Sequence, residues 1–166
     1  MRILLVTNMY PSPEMPGYGA FVWQQAEQLR QFGHMVDVIN ILGFRSKLNY
    51  IRGALEVLRK TSRTTYDIVH AHYGLSAFPA WFRLKTPLIV TLHGGDVLDS
   101  KFQRYCSKVI WRFADVVIVV SAEMQRRIRS NNSMWRRFKR IQTLRLSKST
   151  GSPEIATRQV SDSVPV

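Results

Sequence analysis

Short apolar runs alternate with amphipathic stretches along this chain. Residues 2–7, RILLVT, read as a buried strand around the apolar run ILLV. A loop over 8–17 follows, with Pro11, Pro13 and Pro16. In GAFVWQQAEQLRQF, residues 19–32, Phe21 or Val22, Gln25 or Ala26, and Leu29 recur at helical spacing, and Gly33 ends the helix as a C-cap. Residues 35–42 predict a second strand. Residues 47–60 predict a second helix, with Leu48, Ile51, Leu55 and Leu58 on one face. Residues 66–72, YDIVHAH, are a third strand and its exit. Residues 75–84 are a short helix interrupted by Pro79, and residues 87–92 are a fourth strand. A helix over 101–113, a fifth strand over 115–120 (DVVIVV) and a helix over 121–130 capped by Ser121 complete the pattern.

Five strands alternating with helices, the strands near-continuously apolar, describe an α/β domain whose parallel sheet is covered on both faces. Right-handed crossovers then favour a Rossmann-like sheet of five strands in the order 3-2-1-4-5. In such sheets ligands sit at the carboxyl ends of the strands, near the point where the order reverses. The loop over 8–19 and the turn His93-Gly94-Gly95-Asp96 are therefore expected to face one another across a crevice. No internal repeat is visible. The domain is expected to span 1–130, and residues 131–166, polar and aperiodic towards their end, to form a basic, largely disordered tail.

Length and composition sharpen this. With 166 residues, 45% of them hydrophobic, the chain can build one domain with a real core. No apolar run reaches membrane-spanning length. The N-terminal apolar stretch is short for a signal peptide and has no small-residue cleavage site, so a cytoplasmic protein, soluble or peripheral on the inner face of the membrane, is expected. The single cysteine, Cys106, allows no internal disulfide and reads as a small core residue. The net charge is +13, and its distribution is uneven: residues 1–121 hold 14 basic and 8 acidic side chains, residues 122–166 hold 10 and 3. Such an excess directs attention to phosphates, in nucleotides, anionic lipid or nucleic acid. No nucleic-acid module accompanies the charge, and nucleic acid is not the expected partner.

Gly17 and Gly19 open the first helix, where glycines let backbone N–H groups approach a phosphate. A plain flexible turn explains them equally well. A dinucleotide fingerprint fits poorly, because Val22 occupies its third glycine position and strand 2 ends without an acid. His70 and His72, two apart on a strand, point to the same side. No cysteine or carboxylate pair completes a metal site beside them, so no metal is expected. His34, in a Gly-His turn, is a capping or surface residue. His93 ends a central strand in the expected crevice, before glycines that permit close ligand approach, and Asp96 has helix or turn capping as its default role.

Four ordered stretches, GYGAFVWQQAEQLRQFGHMVDVI, DIVHAHYG, TLHGGD and ADVVIVVSAEMQRRI, together resemble the amino-terminal, acceptor-side domain of family 4 glycosyltransferases of the GT-B fold, from residue 1 to about 130. The resemblance implies that His93 lines the cleft as the catalytic-side histidine near the donor sugar. It places Gly17, Gly19 and Gly94 beside the donor and His72, Tyr73 and Asp96 on the acceptor side. It further implies a retaining transfer from a nucleotide diphosphate sugar to a hydroxyl of a glycan or lipid. Catalysis would be electrostatic, with no cofactor and no metal.

Family members bind the donor mainly through a second, carboxyl-terminal domain with a basic pair and a Glu-x7-Glu motif, and neither motif occurs in this sequence. The expectation is half of an enzyme, inactive alone. It is a truncated or frame-disrupted product, or a subunit completed in trans by the missing carboxyl-terminal domain. From Met124 to Lys148 there is no acid, and Trp135, Phe138, Ile141 and Leu144 recur every three residues among basic ones. Three readings stand for this stretch: a basic amphipathic helix on an anionic membrane surface, a solvated tail without function, or the product of an altered reading frame. A non-catalytic Rossmann-like module bound to a membrane or partner through the tail is the competing functional class.

Overall fold

The computed structural model describes residues 1–93, 113–130, 141–143, 145–146 and 153–154. Among these, the main sheet has six parallel strands: β1 (Arg2–Thr7), β2 (Met35–Asn40), β3 (Ile68–His72), β4 (Leu88–Leu92), β5 (Val116–Val119) and β6 (Ile141–Thr143). The helices are α1 (Ala20–Gln31), α2 (Leu48–Arg63), α3 (Ala77–Trp81, entered through a 3-10 turn at Gly74–Ser76) and α4 (Ala122–Ser130). A small antiparallel pair joins β7 (Arg145–Leu146) to β8 (Pro153–Glu154). The helix expected over 101–113 lies outside the described residues.

The fold class is the expected one, but the strand order is β2-β1-β3-β4-β5-β6 and not 3-2-1-4-5. β3 pairs directly with β1, in a register that sets Thr7 against His72, while Thr7 also meets Asn40 of β2. The reason lies in where the crossovers run. α1 covers one face of the sheet, its Ala26 and Leu29 packing on Ile3, Leu5, Val36 and Val38. α2 returns over the opposite face, with Val57 in the core that holds Leu4, Val6, Ile39, Val69 and Val90. The second crossover thus steps over β1 and places β3 on its far side. The reversal point accordingly lies between β1 and β3, one strand nearer than a 1-4 junction.

Local signals explain most element ends. Gly33 adopts φ 81° after α1 and donates its N–H to the Arg30 carbonyl, while His34 N–H reaches Leu29 O. Ser121 Oγ accepts the Met124 N–H at 3.1 Å and caps α4 as expected. Pro79 is tolerated because it lies in the first turn of α3, where N–H groups have no intrahelical acceptor.

Two features go beyond the sequence pattern. Leu48, Ile51, Leu55 and Leu58 do share a face of α2, but that face is exposed; Gly53, Ala54 and Val57 are the buried positions. A Cβ at Gly53 would sit 3.3 Å from Ile41 Cγ1 and 3.6 Å from Pro79 Cβ, so the small-residue side is what lets the helix approach. Residues 141–143, inside the stretch assigned to the tail, pair in parallel with Val117–Val119 of β5. The amphipathic helix expected in the basic stretch is therefore not what residues 141–143 and 145–146 form; residues 131–140, 144, 147 and 148 lie outside the described residues. Among the described residues no helix is long and apolar enough to cross a membrane.

The orientation of α2 gives a direct test. Val57→Ala should lower unfolding free energy by about 2 kcal/mol through lost burial and an unfilled space. Leu55→Ala should stay within about 0.5 kcal/mol of the parent, as surface changes do. Urea denaturation of both variants measures this, and a larger cost at Leu55 would reverse the assigned orientation.

Candidate functional site at the carboxyl edge of the sheet

Three chain segments meet at the carboxyl ends of β1, β3 and β4. β3 delivers His70 and His72 to one face of the sheet, their ring centroids 4.4 Å apart. His70 Nε2 lies 2.8 Å from Thr91 Oγ1 of β4, deep in the core. Tyr73, the first residue beyond β3, has φ 71° and ψ 145°, a backbone region that disfavours side-chain-bearing residues. Two hydrogen bonds hold it there: Tyr73 N–H donates to Thr91 O at 3.0 Å, and Ser76 N–H donates to Tyr73 O at 3.2 Å. Such a conformation costs on the order of 1–3 kcal/mol and persists where the surroundings enforce it.

His93, the first residue beyond β4, completes the cluster. Its Nε2 lies 3.4 Å from His72 Nδ1, and its ring centroid is 4.5 Å from that of Tyr73 and 4.8 Å from that of Phe21. Phe21 belongs to the first turn of α1, so the start of this helix stands against the ends of β3 and β4. The approach depends on Gly19. Its φ is 74°, and a Cβ there would lie 2.3 Å from the Met9 carbonyl oxygen. Met9 is itself fixed by Thr7, whose Oγ1 accepts the Met9 N–H at 3.1 Å and donates to Met9 O at 3.0 Å. Gly17 differs: a Cβ there would meet nothing within 4 Å. No side chain caps the amino end of α1, and no acidic residue lies in its first turn.

The three histidines are neutral at physiological pH. Burial lowers His70 to about 4, with the nearby His93 adding to it. Burial also lowers His93 to about 4. His72 is pushed well below the ordinary value, first by burial and then by its two histidine neighbours. A neutral imidazole presents one N–H and one lone pair. His72 uses Nδ1 towards His93, while its buried Nε2 has no hydrogen-bond partner. An orphaned buried polar atom costs about 1–3 kcal/mol. Among the described residues no group of three His, Cys, Asp or Glu side chains is arranged to hold a metal ion.

Of the residues singled out from the sequence, His72, Tyr73 and His93 converge here, and Gly19 supports the loop that brings α1 to them. Gly94 and Asp96 lie outside the described residues. His34 is half-buried in the turn after α1 and is no part of the cluster. Phe21 and Thr91 were not identified as site residues. Phe21 shared its helical position with Val22, and only three-dimensional placement separates the two. Thr91 carried a signal, as the one polar residue in the strand LIVTL.

The fold and site define a Rossmann-like α/β domain with a ring cluster at the carboxyl edge of its parallel sheet. Residues 15–143 match the sequence model of Glycosyltransferase Family 4, and the chain belongs to that family. Among solved structures it is similar to a sucrose-phosphate synthase from Thermosynechococcus elongatus. The TM-score is 0.66 with 18% identity, over 90% of this chain and 91% of that one; at this identity the likeness speaks for the fold. No curated protein matches the chain.

Two expected outcomes follow from this geometry. Gly19→Ala should destabilise by at least about 1–2 kcal/mol, from the left-handed backbone and the clash with Met9, whereas Gly17→Ala should change stability by less than about 0.5 kcal/mol. Chemical denaturation separates them. The histidines also set a pH dependence. Their folded values lie below the unfolded value of 6.5. The unfolded chain therefore binds more protons between 6.5 and about 4, the value burial gives His70 and His93. Stability is complete above that window and falls as pH drops through it, by up to about 1.4 kcal/mol per pH unit for each imidazole. Denaturant midpoints across this range should fall with acid, and His70→Asn should flatten the slope.

Proposed function

We propose that the chain forms the acceptor-side half of a retaining glycosyltransferase, moving a sugar from a nucleotide diphosphate sugar to a hydroxyl of a glycan or lipid. In this reading residues 1–130 make up the acceptor-side domain, joined at its sheet edge by β6. The observation that carries it is the cluster of Phe21, His72, Tyr73 and His93, with the unsatisfied Nε2 of His72 inside it. Neutral imidazoles and aromatic faces suit uncharged sugar hydroxyls and ring C–H surfaces. They do not supply positive charge for a diphosphate. His93 and the turn Gly94-Gly95 would lie against the donor sugar, and Asp96 would lie on the acceptor side. Backbone N–H groups around Gly17, Gly19 and the amino end of α1 would face the donor phosphates, helped by the positive end of the helix dipole.

Most of the transition-state stabilisation would come from a carboxyl-terminal domain that closes the cleft from the other side, in the same polypeptide or in a partner. The departing diphosphate needs cationic groups as positive character develops at the sugar carbon. Closure also aligns donor and acceptor. The 166-residue chain alone is thus one wall of a cleft. A nucleotide-sugar donor places the reaction on the cytoplasmic side.

The purified chain is expected to release no nucleotide diphosphate from a nucleotide sugar, with turnover appearing when a matching carboxyl-terminal domain is supplied. In the reconstituted enzyme His93→Ala should lower kcat/KM by roughly 100-fold. His34→Ala should change it less than about twofold. Robust transfer by the chain alone would remove the half-enzyme reading, and unaltered turnover in His93→Ala would remove the role given to that histidine.

A further inference from the structure

The strongest unpartnered feature outside the cluster is the outer face of α2. Leu48, Ile51, Leu55 and Leu58 are 62, 56, 63 and 38% exposed. They form a stripe that runs along eleven residues of helix, about 15 Å from first to last at the helical rise. Core packing does not use these side chains, because Gly53, Ala54 and Val57 provide the inward face. Along one edge of the stripe, at helical spacing, stand Arg52, Arg59 and Arg63, all exposed. None of the three is in an ion pair among the described residues. From Phe44 to Arg63 the chain carries six basic side chains and one acid, Glu56. α3, on the same side of the sheet, leaves Trp81 and Phe82 exposed as well.

We infer that α2 docks this domain on an anionic lipid surface, its leucine and isoleucine stripe entering the headgroup–acyl boundary and its arginines meeting lipid phosphates. The inference does not depend on the glycosyl-transfer reading. A helix with a strongly segregated apolar face, low overall hydrophobicity and a cationic border has the make-up of an interfacial helix. Charge selects this occupant. A second copy of the chain would bring Arg52, Arg59 and Arg63 against their own equivalents, whereas anionic headgroups neutralise them and arginine pairs well with phosphate oxygens. The stripe stands on a rigid element, fixed by Val57 in the core and by Gly53 against Pro79. Docking therefore needs no change of fold.

The full 166-residue chain is sedimented with vesicles of equimolar phosphatidylglycerol and phosphatidylcholine, and with vesicles of phosphatidylcholine alone. Binding is expected to the anionic vesicles only, weakening as salt is raised. The variant carrying Ile51→Ser and Leu55→Ser should lose binding by at least about tenfold. Both positions are exposed, so its circular dichroism and thermal midpoint should match the parent. Equal binding to both kinds of vesicle, or binding to neither, overturns the proposal. So does retention of full binding by the Ile51→Ser, Leu55→Ser variant, above all if Trp135→Ala abolishes it, since the lipid contact would then belong to the basic tail. A lipid-free dimer that the double variant converts to monomer, with no vesicle binding by the parent, would assign the stripe to self-association instead.

Discussion

The pairing of β1 with neighbours on both sides is the constraint on which the rest depends. Leu4, Leu5 and Val6 are completely buried because helices cover both faces of this strand, and its backbone groups are shared with β2 and β3. A strand so placed is where the chain reverses its direction of travel across the sheet. That reversal leaves a gap above the strand's carboxyl end, into which the first turn of α1 and the ends of β3 and β4 converge. The opposite edge is tied by polar contacts. Arg2 N–H donates to Asp67 Oδ2, and Asp37 accepts from both Tyr66 and Arg2. The Tyr66 hydrogen bond holds the Asp37 carboxyl below its usual range, while burial pushes the phenol up to about 12. Among the described residues both edges still leave one buried nitrogen without a hydrogen-bond partner, Arg2 Nε at the first and His72 Nε2 at the second.

How much was legible in the sequence follows from the same physics. Strands were legible because burial on both faces leaves a near-continuous apolar run, as in LIVTL or VVIV. Helix caps were legible because Gly33 and Ser121 have local jobs. Strand order was not, because nothing in an apolar run names its neighbour; the order depends on which face each crossover takes. The orientation of α2 was hidden for a different reason. Its strongest apolar stripe is the outward one, and the inward face is marked only by a glycine and an alanine in mid-helix. A glycine at that cost in helix propensity is itself the signal of close approach. In the site, His72, Tyr73 and His93 were legible as residues at strand ends. Phe21 was not, because the helical pattern left it interchangeable with Val22.

Side by side, the two distinctive surfaces of the molecule use opposite chemistry. The ring cluster is uncharged, built of imidazole and aromatic rings. The outer face of α2 is instead apolar and cationic at once, with Leu48, Ile51 and Leu55 beside Arg52, Arg59 and Arg63. A neutral cleft on a basic molecule also has a kinetic side. Long-range attraction draws polyanions to the protein as a whole, while contacts at the uncharged cluster are short-range.

Tyr73 carries a further consequence. Both of its backbone polar groups are committed, its N–H to Thr91 and its carbonyl to Ser76. The left-handed torsion is therefore imposed, and the ring is aimed by the backbone instead of by rotamer choice. Glycine at this position would relax the torsion, while removing the aromatic wall against His93. Fold stability and ligand recognition thus favour different residues at one site. Selection for heat resistance alone would drift towards a smaller residue there, and retention of tyrosine under such selection would be a sign that the cleft is in use.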